Sequence, residues 1–197
     1  MHISYMKLTV FLISILFVSC KTNSQTEGFP DVSKIIDNSF KSIDKLFPVA
    51  MLDISNKGYK ERIPIIFVYF TELNNENEFL RKGDGISSYS FQKMPDGKYK
   101  PLFTEKALSL NKSHEEFLKK TIIHYDSVKT KLNIRSFLEF PSGPDWWQND
   151  ETPLSSNGKT MIFICQLEFY NLTSNDSKGF IFYDPESKIV THIIQWD

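Results

Sequence analysis

The sequence predicts an α+β domain with a largely antiparallel sheet, and three features support that prediction. Short runs of β-branched and aromatic residues recur along the chain, separated by turn-forming residues. Two longer stretches, about 31–47 and 113–132, place apolar residues at helical spacing. The connections between the last three runs are short and rich in turn formers, which favours an antiparallel meander.

The first half of the domain is expected to begin with an amphipathic helix. The stretch DVSKIIDNSFKSIDKLF (31–47) has Asp31 as a candidate N-cap, and Pro48 is expected to end the helix. A buried strand is predicted over 63–73, because IPIIFVYFTEL is rich in β-branched and aromatic residues and short for a helix. A hairpin is predicted over 88–103, with its turn at Pro-Asp-Gly.

The second half is expected to contain one helix and then strands. The helix over 113–132 has a candidate capping box, Ser113-x-x-Glu116, and one continuous apolar stripe. IRSFLEF after it reads as a short strand or turn. Three strands are then predicted, over Met161–Phe169, Gly179–Tyr183 and Ile189–Trp196.

The N-terminus has the parts of a secretory signal. Lys7 precedes an apolar run of 11 residues, LTVFLISILFV, which is shorter than the roughly 20 needed to span a bilayer. The run ends at FVSC, which resembles a bacterial lipobox, although Phe17 replaces the commoner Leu. We therefore expect residues 1–19 to be a lipoprotein-type signal, with Met1 or Met6 as the start and Cys20 as the lipidated residue. An ordinary cleaved signal and an N-terminal anchor helix are the alternatives.

This signal implies an organisation and an address. Residues 20–30 are polar and suit a flexible tether, and 31–197 then form a single domain. We expect a cell-envelope protein held at the membrane by a lipid anchor at Cys20, in the outer membrane of a Gram-negative bacterium. Cys165, the other cysteine, lies in the apolar run MIFICQLEF, so we expect a buried thiol without a disulfide.

Composition excludes a nucleic-acid partner and offers no obvious chemistry. Without residues 1–19, which hold Lys7 and no acid, 22 basic side chains remain against 24 acidic ones. That balance lacks the basic excess of a nucleic-acid binder. His114 and His124 are ten residues apart, which is not the spacing of a zinc-binding pair, and His192 is expected to be a satisfied, half-buried strand residue. We expect no metal and no cofactor.

The unusual stretch is FPSGPDWWQNDETP, residues 140–153, which we call the Trp loop. Side chains of adjacent residues on an extended segment point in opposite directions, so Trp146 and Trp147 should not share one face. Either one anchors the loop and the other is free to contact a partner, or both pack. Asp145, Asp150 and Glu151 give the loop a dense group of carboxylates, which could act as acid and base but would by default be solvated.

The Trp loop and the strands after it carry a family resemblance. GPDWWQNDETPLSSNGKTMIFICQLEF and the final KGFIFYDPESKIVTHIIQW resemble the C-terminal half of the YwqG-like family, a bacterial domain of unknown function. The matching positions are Gly143, Pro144, Trp146 or Trp147, Gln148, Glu151, Pro153, Gly158, Lys159, Met161, Gln166 and Gln195. The resemblance implies an α+β fold and no known reaction. Leu154 and Asn157 replace a Cys-x-x-Cys that some members carry, which argues against a zinc site there.

Two function classes compete, with a third that needs no site. The leading hypothesis is a recognition domain without enzymatic activity, of the kind that immunity proteins use, which binds a protein or a glycan. Its candidate binding residues are Trp146, Trp147, Gln148, Gln166 and Trp196. The alternatives are an envelope hydrolase that uses Asp145, Asp150 or Glu151, and a purely structural lipoprotein. Gln166 has a structural interpretation as well, in which it satisfies buried main-chain groups near the Trp loop.

Overall fold

The computed structural model describes residues 26–70, 86–173 and 176–196. The signal segment, Cys20 and most of the tether lie outside the described residues, as does the end of the strand predicted over 63–73. No helix in the described ranges has the length and apolar content needed to cross a membrane.

Two antiparallel sheets form the framework, and the chain has the predicted α+β fold. The three-stranded sheet has the order β1-β2-β3, and the five-stranded sheet has the order β5-β4-β8-β7-β6. The strands are β1 (Glu27–Gly28), β2 (Leu46–Asp53), β3 (Arg62–Val68), β4 (Ile86–Lys93), β5 (Tyr99–Pro101), β6 (Ile162–Glu168), β7 (Ser177–Asp184) and β8 (Ile189–Trp196). The helices are α1 (Val32–Ile35), α2 (Lys112–Val128) and α3 (Tyr170–Thr173).

The helix predicted over 31–47 is wrong in extent. Asp31 caps a helix as expected, but this helix, α1, has only four residues. Ile36 is already extended and bridges to Tyr99, so the helix ends where the chain meets the edge of the other sheet. A 3₁₀ turn follows at Ile43–Lys45, and the apolar residues from 46 onward belong to β2. Pro48 ends no helix and lies inside β2 beside a register shift, the kind of irregularity that tolerates proline in a strand.

The second predicted helix is present as α2, with a different cap. The Asn111 side chain, and not a capping box from Ser113, accepts the N–H of His114 at 3.0 Å. Leu118 and Tyr125 are buried on its inner face, and the Tyr125 hydroxyl donates to the Pro48 carbonyl at 2.5 Å. The helix thereby packs against the irregular part of β2.

The predicted hairpin and meander are both confirmed. The hairpin β4–β5 turns at Asp96 and Gly97, and Gly97 has a φ of 87°, which glycine adopts without strain. The strands β6, β7 and β8 pair consecutively and antiparallel. The hairpin joins them because β4 pairs along the free side of β8. That long-range pairing completes the five-stranded sheet.

Side chains of the five-stranded sheet cover the free edge of β3. The N–H of Ile66 donates to Nε2 of His192 at 3.1 Å, and the Ile66 carbonyl accepts the Tyr89 hydroxyl at 2.8 Å. Tyr99 donates its hydroxyl to the Arg62 carbonyl at 2.6 Å. Buried main-chain groups that had no partner strand are therefore satisfied across the junction of the two sheets.

The five-stranded sheet is covered by apolar groups on both faces. Its inner face joins the main core with the three-stranded sheet and α2. Its outer face carries a smaller cluster made of Ile86, Met161, Phe180, Phe182 and Ile193, with Trp146 packed against it. The Trp loop is therefore part of the cover of a sheet face that would otherwise expose aromatic rings.

Candidate functional site

The main chain of the Trp loop is held by two glutamine side chains of the sheet. Gln166 in β6 and Gln195 in β8 are both buried. The Gln166 amide oxygen accepts the N–H of Asp145 at 2.9 Å, and its amide nitrogen donates to the Glu139 carboxylate at 2.7 Å. Gln166 thus satisfies a main-chain group of the loop, as its structural interpretation predicts.

Gln195 binds three consecutive residues at the tip of the loop. Its amide oxygen accepts the N–H of Trp147 at 2.8 Å and the N–H of Gln148 at 3.0 Å. Its amide nitrogen donates to the Asn149 carbonyl at 2.9 Å. All the hydrogen-bonding positions in use point to loop main chain, so the tip has one fixed position over the sheet.

Trp146 is the anchoring tryptophan. Its ring lies 4.4 Å from the Phe180 ring and 5.9 Å from the Phe182 ring, measured between centroids. Both phenylalanines are fully buried on the outer face of the sheet. Trp146 is half-buried, packs against the outer cluster of the sheet and contributes packing energy.

Trp147 is the exposed tryptophan, with 38% of its surface accessible. The ammonium group of Lys178 lies 5.9 Å from the centroid of its ring and 5.9 Å from that of Phe180. Lys178 is only 4% exposed and forms an ion pair with Asp145 at 3.0 Å. The buried cation, the aromatic faces and the carboxylate together keep Trp147 in place beside an exposed loop surface.

Two of the three loop carboxylates, those of Asp145 and Asp150, already have partners that favour their ionised form. Asp145 is 76% exposed and is paired with Lys178. Asp150 accepts hydrogen bonds from the hydroxyl and the N–H of Thr152, at 2.6 and 2.9 Å, and these bonds lower the pKa of its carboxyl. A general acid needs a raised pKa, so Asp150 is poorly suited to that role. Glu151 is half-buried in the same loop.

Gln148 and Trp196 lie at the same end of β8 but have different surroundings. Gln148 is exposed and donates from its side chain to the Trp196 carbonyl at 2.6 Å. The Trp196 ring is on the inner face of the sheet, where it packs edge-on against Phe70 with 6.5 Å between the ring centroids. Its Nε1–H donates to the Ser87 hydroxyl at 3.3 Å. The structure thus places Gln148 next to Trp147 and separates the Trp196 side chain from it.

Sequence reasoning missed Lys178 as part of this site. Its signal was a lysine in SKGFIFYD, at the edge of a run that is otherwise apolar, and the predicted strand began one residue later, at Gly179. Lys178 is two residues before Phe180 in β7, so both side chains face the outer side of the sheet, where Asp145 and Trp147 of the Trp loop contact the lysine. The sequence did not show that the loop covers that side.

The other chemically distinctive residues are in the core. His192 is fully buried, Nδ1 makes no hydrogen bond within the described residues, and burial lowers its pKa to about 3. His192 is therefore more deeply buried than the half-buried position predicted from the sequence. Cys165 is buried, as expected, and burial raises the pKa of its thiol. Across the described ranges, no group of three or more His, Cys, Asp or Glu side chains could hold a metal ion.

Comparison with known proteins gives no relative: no protein-family model, no curated protein and no solved structure matches this chain. The resemblance to the YwqG-like family stays a prediction.

Proposed function

We propose that this chain is a recognition domain of the bacterial cell envelope that binds a protein partner through the Trp loop. The observation that carries the proposal is Trp147, an exposed indole on main chain that a buried side chain, Gln195, holds in place. A lipid anchor at Cys20 would keep the domain at the membrane. The proposal includes the immunity-type version, in which the partner is a toxin.

The arrangement favours binding because the loop that carries Trp147 is already ordered in the free protein, so binding need not order it. Tryptophan is enriched among residues that dominate interface energetics, and its burial in a complex removes a large apolar area from water. A contact residue on a loop that is already ordered loses little conformational freedom on binding. Gln166, Gln195 and Lys178 supply that order.

The surroundings of Trp147 favour a protein over a glycan. Asp145, Gln148 and Asp150, which belong to the same loop as Trp147, have exposed side chains. An aromatic anchor with a polar rim is the usual anatomy of a protein interface. The acidic part of the rim would complement a partner with basic residues around an apolar pocket.

The experiment compares four versions of the full chain in a non-ionic detergent. The wild type is used to capture its partner from envelope extract, and the isolated partner is then titrated against Trp147→Ala, Phe117→Ala and Asp150→Asn. Phe117 is the matched control, since it is an exposed aromatic residue on α2. We expect Trp147→Ala to weaken binding about 30-fold, which is about 2 kcal/mol, and the other two variants to change it less than about threefold.

Two results would overturn the proposal. The first is an unchanged affinity of Trp147→Ala in a protein whose thermal unfolding is also unchanged. The second is loss of a hydrolytic activity in Asp150→Asn or Glu151→Gln, which the hydrolase hypothesis requires. Capture of a glycan through Trp147 would assign the same surface to the other ligand class.

A further inference from the structure

A second polar site lies at the opposite end of the five-stranded sheet. A groove of about 550 Å³ runs between the β2–β3 connection and the β4–β5 turn. Its charged lining residues are Asp53, Lys60, Glu61, Arg62 and Lys93. Lys188 lies next to the groove, and Gln195 lies beneath the Trp loop at the other end of β8. The two residues are seven positions apart, which corresponds to roughly 23 Å along the strand at about 3.3 Å per residue. The groove and the Trp loop can therefore be tested separately.

Glu61 organises the cations of this groove. Its carboxylate accepts the Lys188 ammonium on one oxygen at 2.7 Å and the Lys93 ammonium on the other at 2.5 Å. These two hydrogen bonds lower the pKa of Glu61, whose side chain is 16% exposed. One carboxylate thus holds two ammonium groups, and the trio keeps one net positive charge.

Lys188 is the last residue of the turn between β7 and β8. It has a φ of 59°, the left-handed conformation that often closes a short hairpin connection. Its carbonyl accepts the N–H of Lys93 at 3.0 Å while its side chain reaches Glu61. The turn therefore fixes the position from which the Lys188 ammonium group reaches Glu61.

The buried side of the trio is closed by a tyrosine. Tyr183 is fully buried and packs edge-on against Tyr59, with 6.0 Å between the ring centroids. Burial raises the pKa of its hydroxyl, which lies close enough to Lys188 and Glu61 to interact with both charges. The trio therefore lies over an aromatic floor with one polar group.

The rim of the groove adds further positive charge. Arg62 is half exposed and forms a surface ion pair with Glu27 at 2.7 Å through one of its guanidinium nitrogens. Lys60 is exposed and forms no ion pair or hydrogen bond with another residue in the described ranges. With Glu27 counted, four cations (Lys60, Arg62, Lys93, Lys188) face three carboxylates (Glu27, Asp53, Glu61), in a chain whose net charge is −1.

We infer that this groove binds a small polar molecule that carries a phosphate group. Its volume is in the range of small-molecule sites, five of its eight lining residues are charged, and a planar guanidinium together with two lysines in the lining suits a phosphate. Lys60 and Arg62 contact the phosphate from the rim, and the Glu61 trio supplies the fixed positive charge of the wall. The phosphate could belong to a soluble compound or to a lipid headgroup.

Calorimetric titration of the full chain in a non-ionic detergent tests this inference, with inorganic phosphate and glucose 6-phosphate as probes and glucose as the neutral control. We expect saturable binding of both phosphate compounds and none of glucose. Lys60→Gln and Arg62→Gln should each weaken binding about tenfold, and Lys119→Gln, the same charge change at an exposed position on α2, should not. If Arg62→Gln unfolds the domain, Lys60→Gln decides the question, since Lys60 is exposed and forms no ion pair or hydrogen bond with the part of the chain that the structure describes.

The source of the phosphate is distinguished in vesicles. Glucose 6-phosphate is titrated again with the wild-type chain in phospholipid-free detergent, in phosphatidylcholine vesicles and in vesicles that also contain phosphatidylglycerol. Both lipids carry a phosphate, so a weaker apparent affinity in either vesicle than in detergent identifies a lipid headgroup, whereas the same affinity in all three identifies a soluble ligand. Absence of saturable binding to either phosphate probe, or equal loss in Lys60→Gln and Lys119→Gln, would overturn the inference.

Discussion

The side-chain oxygen of Gln195 accepts the main-chain N–H of Trp147 at 2.8 Å, and this contact fixes the position of the exposed indole. The same side chain also binds Gln148 and Asn149. One buried amide therefore supplies the hydrogen-bond partners of the loop main chain, as a neighbouring strand does inside a sheet. The position of the candidate contact residue depends on a residue that no partner would touch.

Replacement of Gln195 by leucine should loosen the loop. The N–H groups of Trp147 and Gln148 would lose their acceptor, although water can reach the loop and compensate in part, so we expect the free energy of unfolding to fall by about 2 kcal/mol. Urea unfolding measures this change, and tryptophan fluorescence should shift to the red. Gln148→Leu, which removes one exposed hydrogen bond, is the control and should cost less than about 1 kcal/mol. Equal effects of the two variants would contradict the bracing role of Gln195.

The two tryptophans should differ in what they contribute to stability. Trp146→Ala leaves the Phe180 and Phe182 rings without cover and should cost about 3 kcal/mol, or a fall in Tm of about 10 °C. Trp147→Ala should cost less than about 1 kcal/mol, because its ring is partly in water already. Thermal unfolding by circular dichroism compares them. The reverse order would mean that Trp147 is the core residue.

Gly179 should not tolerate alanine. A Cβ atom at this position would lie 2.3 Å from Cε2 of Phe169, which is fully buried and cannot easily move. We expect Gly179→Ala to lower the free energy of unfolding by about 1–3 kcal/mol through this overlap. Gly143→Ala is the matched control, since a Cβ there meets nothing within 4 Å. Chemical denaturation measures both variants, and equal unfolding midpoints would contradict the predicted overlap with Phe169.

His192 should make the domain sensitive to acid. Its pKa is lowered from 6.5 to about 3 in the folded state, so the unfolded chain binds the proton more tightly. The stability from the neutral imidazole is therefore fully present above about pH 6.5 and is lost as pH falls towards 3, by up to about 1.4 kcal/mol per unit. Urea titrations at pH 7, 5 and 4 measure this slope. His192→Gln, which offers the Ile66 N–H a neutral acceptor, should have a smaller slope, and an identical slope would rule out His192 as the cause.

The proposed membrane tether should depend on Cys20. If the FVSC motif is a lipobox, the wild-type chain should incorporate radiolabelled palmitate and sediment with membranes. Cys20→Ala should take up no label and should not be processed at that position. Membrane association of Cys20→Ala together with an unlabelled wild type would favour an N-terminal anchor helix.

The elements that the sequence predicted correctly are those whose signal is local. The turn at Asp96 and Gly97 specifies its own backbone, and the apolar runs of β6, β7 and β8 are separated by short polar turns. The helix predicted over 31–47 failed because two pieces with different partners happened to continue one helical spacing. Ile36 leaves the helix to meet Tyr99, and Leu46 begins a strand that pairs with Val68.

By itself, the sequence determined the fold class, the hairpin and meander, the position of α2 and the presence of an unusual Trp loop, because each has a local pattern of apolar and turn residues. Tertiary structure alone decided which tryptophan is exposed. Trp146 and Trp147 differ only in which of them meets the outer face of the sheet, and that depends on Gln166, Gln195 and Lys178. The charged groove likewise forms between the β2–β3 connection and the β4–β5 turn, which are distant in sequence and become neighbours only in the folded chain.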